Sequence, residues 1–230
     1  SGPALACVLD VCRARGLLAP KLPSKAALLG AIHRSGEGSL RDTLARLFWS
    51  ATQVRGRLSQ ENWRGVVEIH RAEGALASAK PDLQGSMEFL DRLLMSVSAL
   101  SGFALDDMTH DDGWRFLVIG RRLERLAFLA DVVARVLGQT SVEAPASLET
   151  LLALADSTIT YRLRYLSAPQ LIPALDLSLL DVANPHSVAF QINELQRELG
   201  IVADDFGEST PNHCRQMTAE LAECDLATLE

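Results

Sequence analysis

The chain has 230 residues, enough for one domain or two small ones with a sizeable core. Hydrophobic residues make up 48% and aromatics only 5%, with Leu and Ala dominant; this excludes a disordered chain and favours helices over strands. A formal net charge of −7 argues against a nucleic-acid partner, and no apolar run reaches the ~18 residues that suggest a membrane span.

Ala4 to Arg15 predicts a short helix stopped by Gly16. Pro20 and Pro23 mark a turn, Ser24 caps a second helix to about His33, and Gly36-Glu37-Gly38 breaks the pattern. Ser39 caps a strong helix to about Arg57, with Leu40, Leu44, Leu47, Phe48, Ala51 and Val54 at helical spacing. Ser59 caps the next, to about Ser78, with Trp63, Val66, Val67 and His70 inward. Beyond Pro81 a long helix runs from about Leu83 to Met108, its expected inner stripe being Met87, Leu90, Leu94, Val97, Leu100 and Ala104.

The longest helical pattern is Asp111 to Gly138, opened by two acids where the macrodipole favours them. Ser147 caps a helix through about Leu166, which places Asp156 mid-helix. Ile172 to Leu180 reads as a short helix, and Asn184-Pro185 starts one that ends at Gly200. A last helix runs from Pro211 to about Cys224. No segment alternates convincingly at period two over five residues, so the expected class is all-α, a multi-helix bundle.

Cys7, Cys12, Cys214 and Cys224 form no CxxC, and the five histidines show no ligand spacing, so no metal site is expected and the thiols read as free. No leader-like start is visible, and a reducing cytoplasm fits. A weak internal repeat relates Leu18-Ala19-Pro20-Lys21-Leu22 to Ser167-Ala168-Pro169-Gln170-Leu171. If it reflects duplication, residues 1–108 hold the remnant of a first repeat plus connecting helices, and 109–230 the second. The first repeat's arginine-bearing helix would then lie ahead of Ser1.

On the long helix, Phe116, Gly120, Leu123, Ala127, Ala130, Ala134 and Leu137 form one stripe, whose small residues suit close approach of another helix. A second face is also apolar, and a third carries Arg121, Glu124, Arg125, Asp131 and Arg135 beside Trp114, Leu117 and Phe128. A helix apolar on nearly every side is expected at the centre of its bundle, with its charges partly buried and paired. Asp131 and Arg135 form an (i, i+4) pair, and Glu124 is the local acid for Arg121 or Arg125. Three arginines face two acids, so a further partner is needed. Asp156 is one candidate, and the helix start at Asn184 and Ser187 is another, because free N–H groups there suit an anion. Two readings stand: a buried ion-pair network that fixes register, and a site for a phosphate or carboxylate. The candidate ligand-binding residues are Arg121, Arg122, Glu124, Arg125, Asp156, Tyr161, Arg162, Asn184, Ser187 and Gln191.

The run Asp112-Gly113-Trp114-Arg115-Phe116-Leu117-Val118-Ile119-Gly120-Arg121-Arg122-Leu123-Glu124-Arg125 closely resembles the alpha-E domain family of bacterial all-helical domains, named for a helical Glu-Arg motif, here Glu124-Arg125. The likeness extends through Ser39 to Trp63, Asp156 to Tyr165 and Asp181 to Gln191. The family usually carries an earlier Glu-Arg helix, absent here, which implies an internally duplicated alpha-E domain lacking its first helix. Family members stand beside, or are fused to, circularly permuted ATP-grasp ligases and transglutaminase-like peptidases. The resemblance therefore implies a role in making or modifying a small peptide or amide-linked product, and the leading expectation is a non-catalytic partner module of the ligase, with ATP-Mg in the ligase and no cofactor in this chain. Its ligand would be an acidic peptide or phosphorylated intermediate. The alternatives are an enzyme in small-peptide synthesis, with Glu124 as acid/base and Arg121 and Arg125 as anion clamps, and a purely structural scaffold. Homo-oligomerisation is left open.

Overall fold

The computed structural model describes residues 3–18, 24–78, 80, 82–138, 145–206, 209–224 and 226, and every regular element among them is a helix. The chain forms two compact units, Cys12–His110 and Ser1–Val11 together with Asp111–Glu230. The first helix, α1 (Pro3–Ala14), ends near Gly16, whose φ of +70° needs no side-chain accommodation.

In the smaller unit, α2 (Ser24–His33), α3 (Leu40–Gln53), α4 (Gln60–Ser78) and α5 (Leu83–Asp106) pack around Leu44, Ile69, Leu76 and Phe89. Side-chain caps define the starts: Ser39 Oγ accepts from the Asp42 N–H at 3.1 Å, Ser59 Oγ from Asn62, and the Asp82 carboxylate from Gly85. A 3-10 turn at Arg55–Arg57 ends α3 earlier than the sequence suggests. Arg41 ties α3 to Glu73 of α4 at 2.6 Å. His70, expected inward, is exposed with its ring stacked on Phe48 at 3.9 Å. The expected inner stripe of α5 is also corrected. Ser86 and Phe89 are buried, with Leu93 and Leu100 half-buried beside them, whereas Met87, Leu90, Leu94 and Val97 are exposed. The helix is apolar on both faces, and a one-residue rotation exchanges them.

In the larger unit, α6 (Asp112–Leu137) packs on α7 (Pro145–Leu154) and on α10 (Val188–Phe206), which also carries α11 (Ser209–Ala222). Between them lie α8 (Thr158–Tyr165) and α9 (Leu171–Leu175), the latter continuing into a π-helical turn, Asp176–Leu180. One core cluster joins Cys7 and Val11 of α1 to Val132, Val136, Leu151, Tyr161 and Leu175. A second joins Ile119 and Leu129 of α6 to Ile192 and Leu195 of α10.

Three expectations change here. Asp111 and Gly138 cap α6 as anticipated, but only the side bearing Trp114, Val118, Ile119, Leu129, Val132, Val133 and Val136 is buried. The small-residue stripe faces outward: Phe116 is 49% and Leu123 51% exposed, and nothing lies within 4 Å of a Cβ added at Gly120. Asp156 is not mid-helix. It sits at φ 52° between α7 and α8, where the Ser157 N–H bonds to Leu152 O and closes α7 in a left-handed turn that Asp tolerates. Nor does α10 begin at Asn184 or end at Gly200. Ser187 caps it, its Oγ accepting from Phe190 N–H at 3.0 Å, and the helix runs through Gly200 to Phe206 because both its flanks are packed.

Candidate functional site

The polar side of α6 meets a polar ladder on α10. Gln191, Glu194 and Glu198 follow spacings of three and four residues and so share one face of α10. Arg115 Nη1 donates to Glu198 Oε2 at 3.0 Å, and the Glu198 side chain is wholly buried. Arg197 supports both acids, 2.9 Å from Glu198 Oε1 and 2.8 Å from Glu194. Arg122 engages the ladder at longer range: 3.4 Å to Gln191 Oε1 and 3.6 Å to Glu194, with its guanidinium 5.3 Å from the Phe190 ring centre. Its buried Nε has no hydrogen-bond partner. Desolvation lowers the pKa of Arg122 most; Glu194 opposes the shift, while Arg121, Arg125 and Arg197 add to it.

One turn along, Arg125 Nη1 donates to His186 Nδ1 at 2.9 Å. A guanidinium only donates, so His186 Nδ1 is the acceptor and Nε2 carries the hydrogen, with Asp156 Oδ2 3.7 Å from it. Desolvation first, and then the Arg125 charge, lower the His186 pKa against the pull of Asp156, so the ring is neutral near pH 7. The one lone pair of the neutral ring accepts from Arg125, leaving none for a general base. Arg121 is exposed, and its guanidinium makes no hydrogen bond or ion pair among the described residues. Desolvation and its neighbour Arg125 lower its pKa. Arg135, expected to pair with Asp131, reaches Asp10 at 3.4 Å instead.

The other candidates divide. Asn184 is buried and donates to Ser157 Oγ at 3.2 Å and Leu177 O at 2.9 Å, while its Oδ1 accepts from the His186 N–H. Ser187 Oγ donates to Asp181 O at 2.6 Å, and Gln191 donates to Pro185 O. These groups close the start of α10 with the chain's own atoms. Tyr161 is a core residue whose hydroxyl accepts from the Gln170 N–H at 2.9 Å and donates to Ala168 O. Glu124 is exposed on α6, and Arg162 is exposed on α8. Among the described residues no group of three or more His, Cys, Asp or Glu could hold a metal ion.

This Glu-Arg helix, with Arg125 turned to His186 and Glu124 to solvent, lies inside a match to the Alpha-E family model, "a predicted alpha-helical domain with a conserved ER motif", over residues 5–230. The chain belongs to the alpha-E family. It is 30% identical over 186 residues to "Uncharacterized protein Mb2597" of Mycobacterium bovis and to "Uncharacterized protein Rv2567" of Mycobacterium tuberculosis. Each match covers 76% of this chain but 20% of the relative, so the chain spans about a fifth of those proteins' length. No solved structure matches.

In this alpha-E chain the residues missed by sequence reasoning are Arg115, His186, Glu194, Arg197 and Glu198. The last three share a face of α10, and their spacing was a usable signal. Arg115 and Glu198 are 83 positions apart, and only the packing of α6 on α10 pairs them.

Proposed function

We propose that this alpha-E domain is a non-catalytic binding module that grips an acidic ligand with Arg121, Arg122 and Arg125. It serves an ATP-grasp-type peptide or amide ligase system of the bacterial cytoplasm. The carrying observation is the unbalanced charge of this helix turn. Arg121 has no partner among the described residues, Arg122 holds its two only at 3.4 and 3.6 Å, and Arg125 faces a neutral imidazole. An acidic peptide or a phosphorylated intermediate supplies the missing countercharge to guanidinium donors already set in place. By contrast, Arg115 and the more exposed Arg197 flank the buried Glu198 carboxylate, which supplies their countercharge, and their role is structural. The ligase association rests on the family resemblance, with the greater length of the relatives leaving room for attached domains.

Calorimetric titration with tetraglutamate and with pyrophosphate tests the site. Binding that weakens roughly tenfold in Arg121→Gln, with unchanged thermal unfolding, supports it, one lost charged hydrogen bond being about 1.5–3 kcal/mol. Equal affinity in wild type and Arg121→Gln, or no binding of either probe, overturns it. Product formation by the ATP-grasp ligase with and without this chain tests the partnership. Turnover by this chain alone would make it an enzyme instead.

A further inference from the structure

Ile159, Arg162, Leu163 and Leu166 follow one another on α8 at spacings of three, one and three residues, which stacks them on one side of the helix. Ser157 and Tyr161, on the opposite side, are buried. The outward side is unusually apolar for its exposure: Ile159 is 74%, Leu163 76% and Leu166 87% in solvent. Arg162 sits among them, exposed, its guanidinium without a hydrogen bond or ion pair among the described residues. Leu166 adds a second, independent oddity. It ends α8 at φ 51°, the left-handed conformation that helices ordinarily give to Gly or Asn. A leucine there is strained, and its side chain is almost fully in water.

We propose that this face of α8 docks an acidic, apolar segment of a partner protein. Covering three aliphatic side chains takes the Arg162 guanidinium out of water with them. An unpaired guanidinium in a closed apolar contact is costly, so the covering surface must bring a carboxylate opposite it. A helix with aliphatic side chains at helical spacing and Glu or Asp between them meets both demands. A second copy of this chain does not, because a two-fold contact through this face sets Arg162 near its own symmetry mate. The face shares no residue with the arginine cluster of α6, and the proposal stands without the ligand reading given there.

The test is fluorescence anisotropy with a labelled synthetic amphipathic helix bearing Leu at helical spacing and Glu between, set beside a twin with Lys in place of Glu. Wild type binds the Glu helix roughly tenfold more tightly than the Lys twin, the charge selecting the partner. Arg162→Glu reverses that preference. Leu163→Asp abolishes binding of both, and Leu166→Gly weakens it several-fold while raising the thermal midpoint. All three positions are exposed, so circular dichroism should report an unchanged fold. Absence of binding to wild type, equal binding of the two helices, or binding that survives Leu163→Asp overturns the proposal. So does Leu163-dependent binding to phosphatidylglycerol vesicles in preference to the Glu helix, which assigns the face to a membrane. A dimer that Leu163→Asp disperses assigns it to a second copy and overturns the proposal equally.

Discussion

Arg115 and Arg121 lie six residues apart on α6 and should answer mutation oppositely. Arg115 is bonded to the wholly buried Glu198 carboxylate, so Arg115→Ala leaves that charge with Arg197 alone and should cost about 3 kcal/mol in urea unfolding. Arg121 has no partner among the described residues and a like charge beside it in Arg125, so Arg121→Ala should stay within about 0.5 kcal/mol of wild type. Equal losses in the two variants would contradict the division into structural and ligand-facing arginines. His186 supplies a pH test. Its folded pKa is lowered by desolvation and Arg125, so it contributes stability above the unfolded pKa of about 6.5. That contribution is lost as pH falls through the folded value, because the unfolded chain takes up the proton first. The urea midpoint of wild type should therefore fall more between pH 7.5 and 5.5 than that of His186→Gln, whose side chain still accepts from Arg125. Parallel falls in the two proteins would show that His186 does not titrate in the unfolding step.

At the scale of elements, Gly200 marks where local signals lose to packing. A glycine after Leu199 reads as a helix stop, yet α10 continues through it with α6 and α11 packed on its flanks. Nothing lies within 4 Å of a Cβ added there, and its φ is outside the left-handed region. Gly200→Ala should therefore stabilise the protein by roughly 0.5–1 kcal/mol, seen as a raised urea midpoint at unchanged slope; a loss would mean that the helix is interrupted at this point. The caps were legible because their chemistry is local: Ser39, Ser59 and Asp111 each bond an N–H three residues on. The break at Asp156 was not, since an aspartate in a left-handed turn leaves no glycine to announce it. Helix faces were legible only as sets. On α5 and α6 more than one side is apolar, and which side is covered depends on neighbours distant in sequence. The same holds for the site. Arg122 and Arg125 stood out as excess charge on an apolar helix, while their partners Gln191, Glu194 and His186 lie more than sixty positions away and were joined to them by the docking of α10.

At the scale of the whole molecule, the two units differ in how deeply they bury their helices. In the larger one, Val132, Val136, Leu151, Leu175 and Ile192 are 0–1% exposed, and α6 contributes to two core clusters at once. The smaller is centred on Leu44, Ile69, Leu76 and Phe89, and its α5 leaves Leu94 66% and Met95 73% exposed. Amide protection follows the free energy of local opening, which grows with buried apolar surface. Hydrogen exchange followed by mass spectrometry should thus find amides around Val132 on α6 and Ile192 on α10 exchanging at least about tenfold more slowly than those around Met95 on α5, a difference of ~1.4 kcal/mol or more in opening free energy. The consequence for function lies in preorganisation. Arg122 and Arg125 project from the helix pair expected to open least, so a ligand would find their guanidiniums already ordered and lose less entropy on binding. Protection of α5 equal to that of α6 and α10 would remove this distinction, and with it the reason for expecting the arginine cluster to be rigid before a ligand arrives.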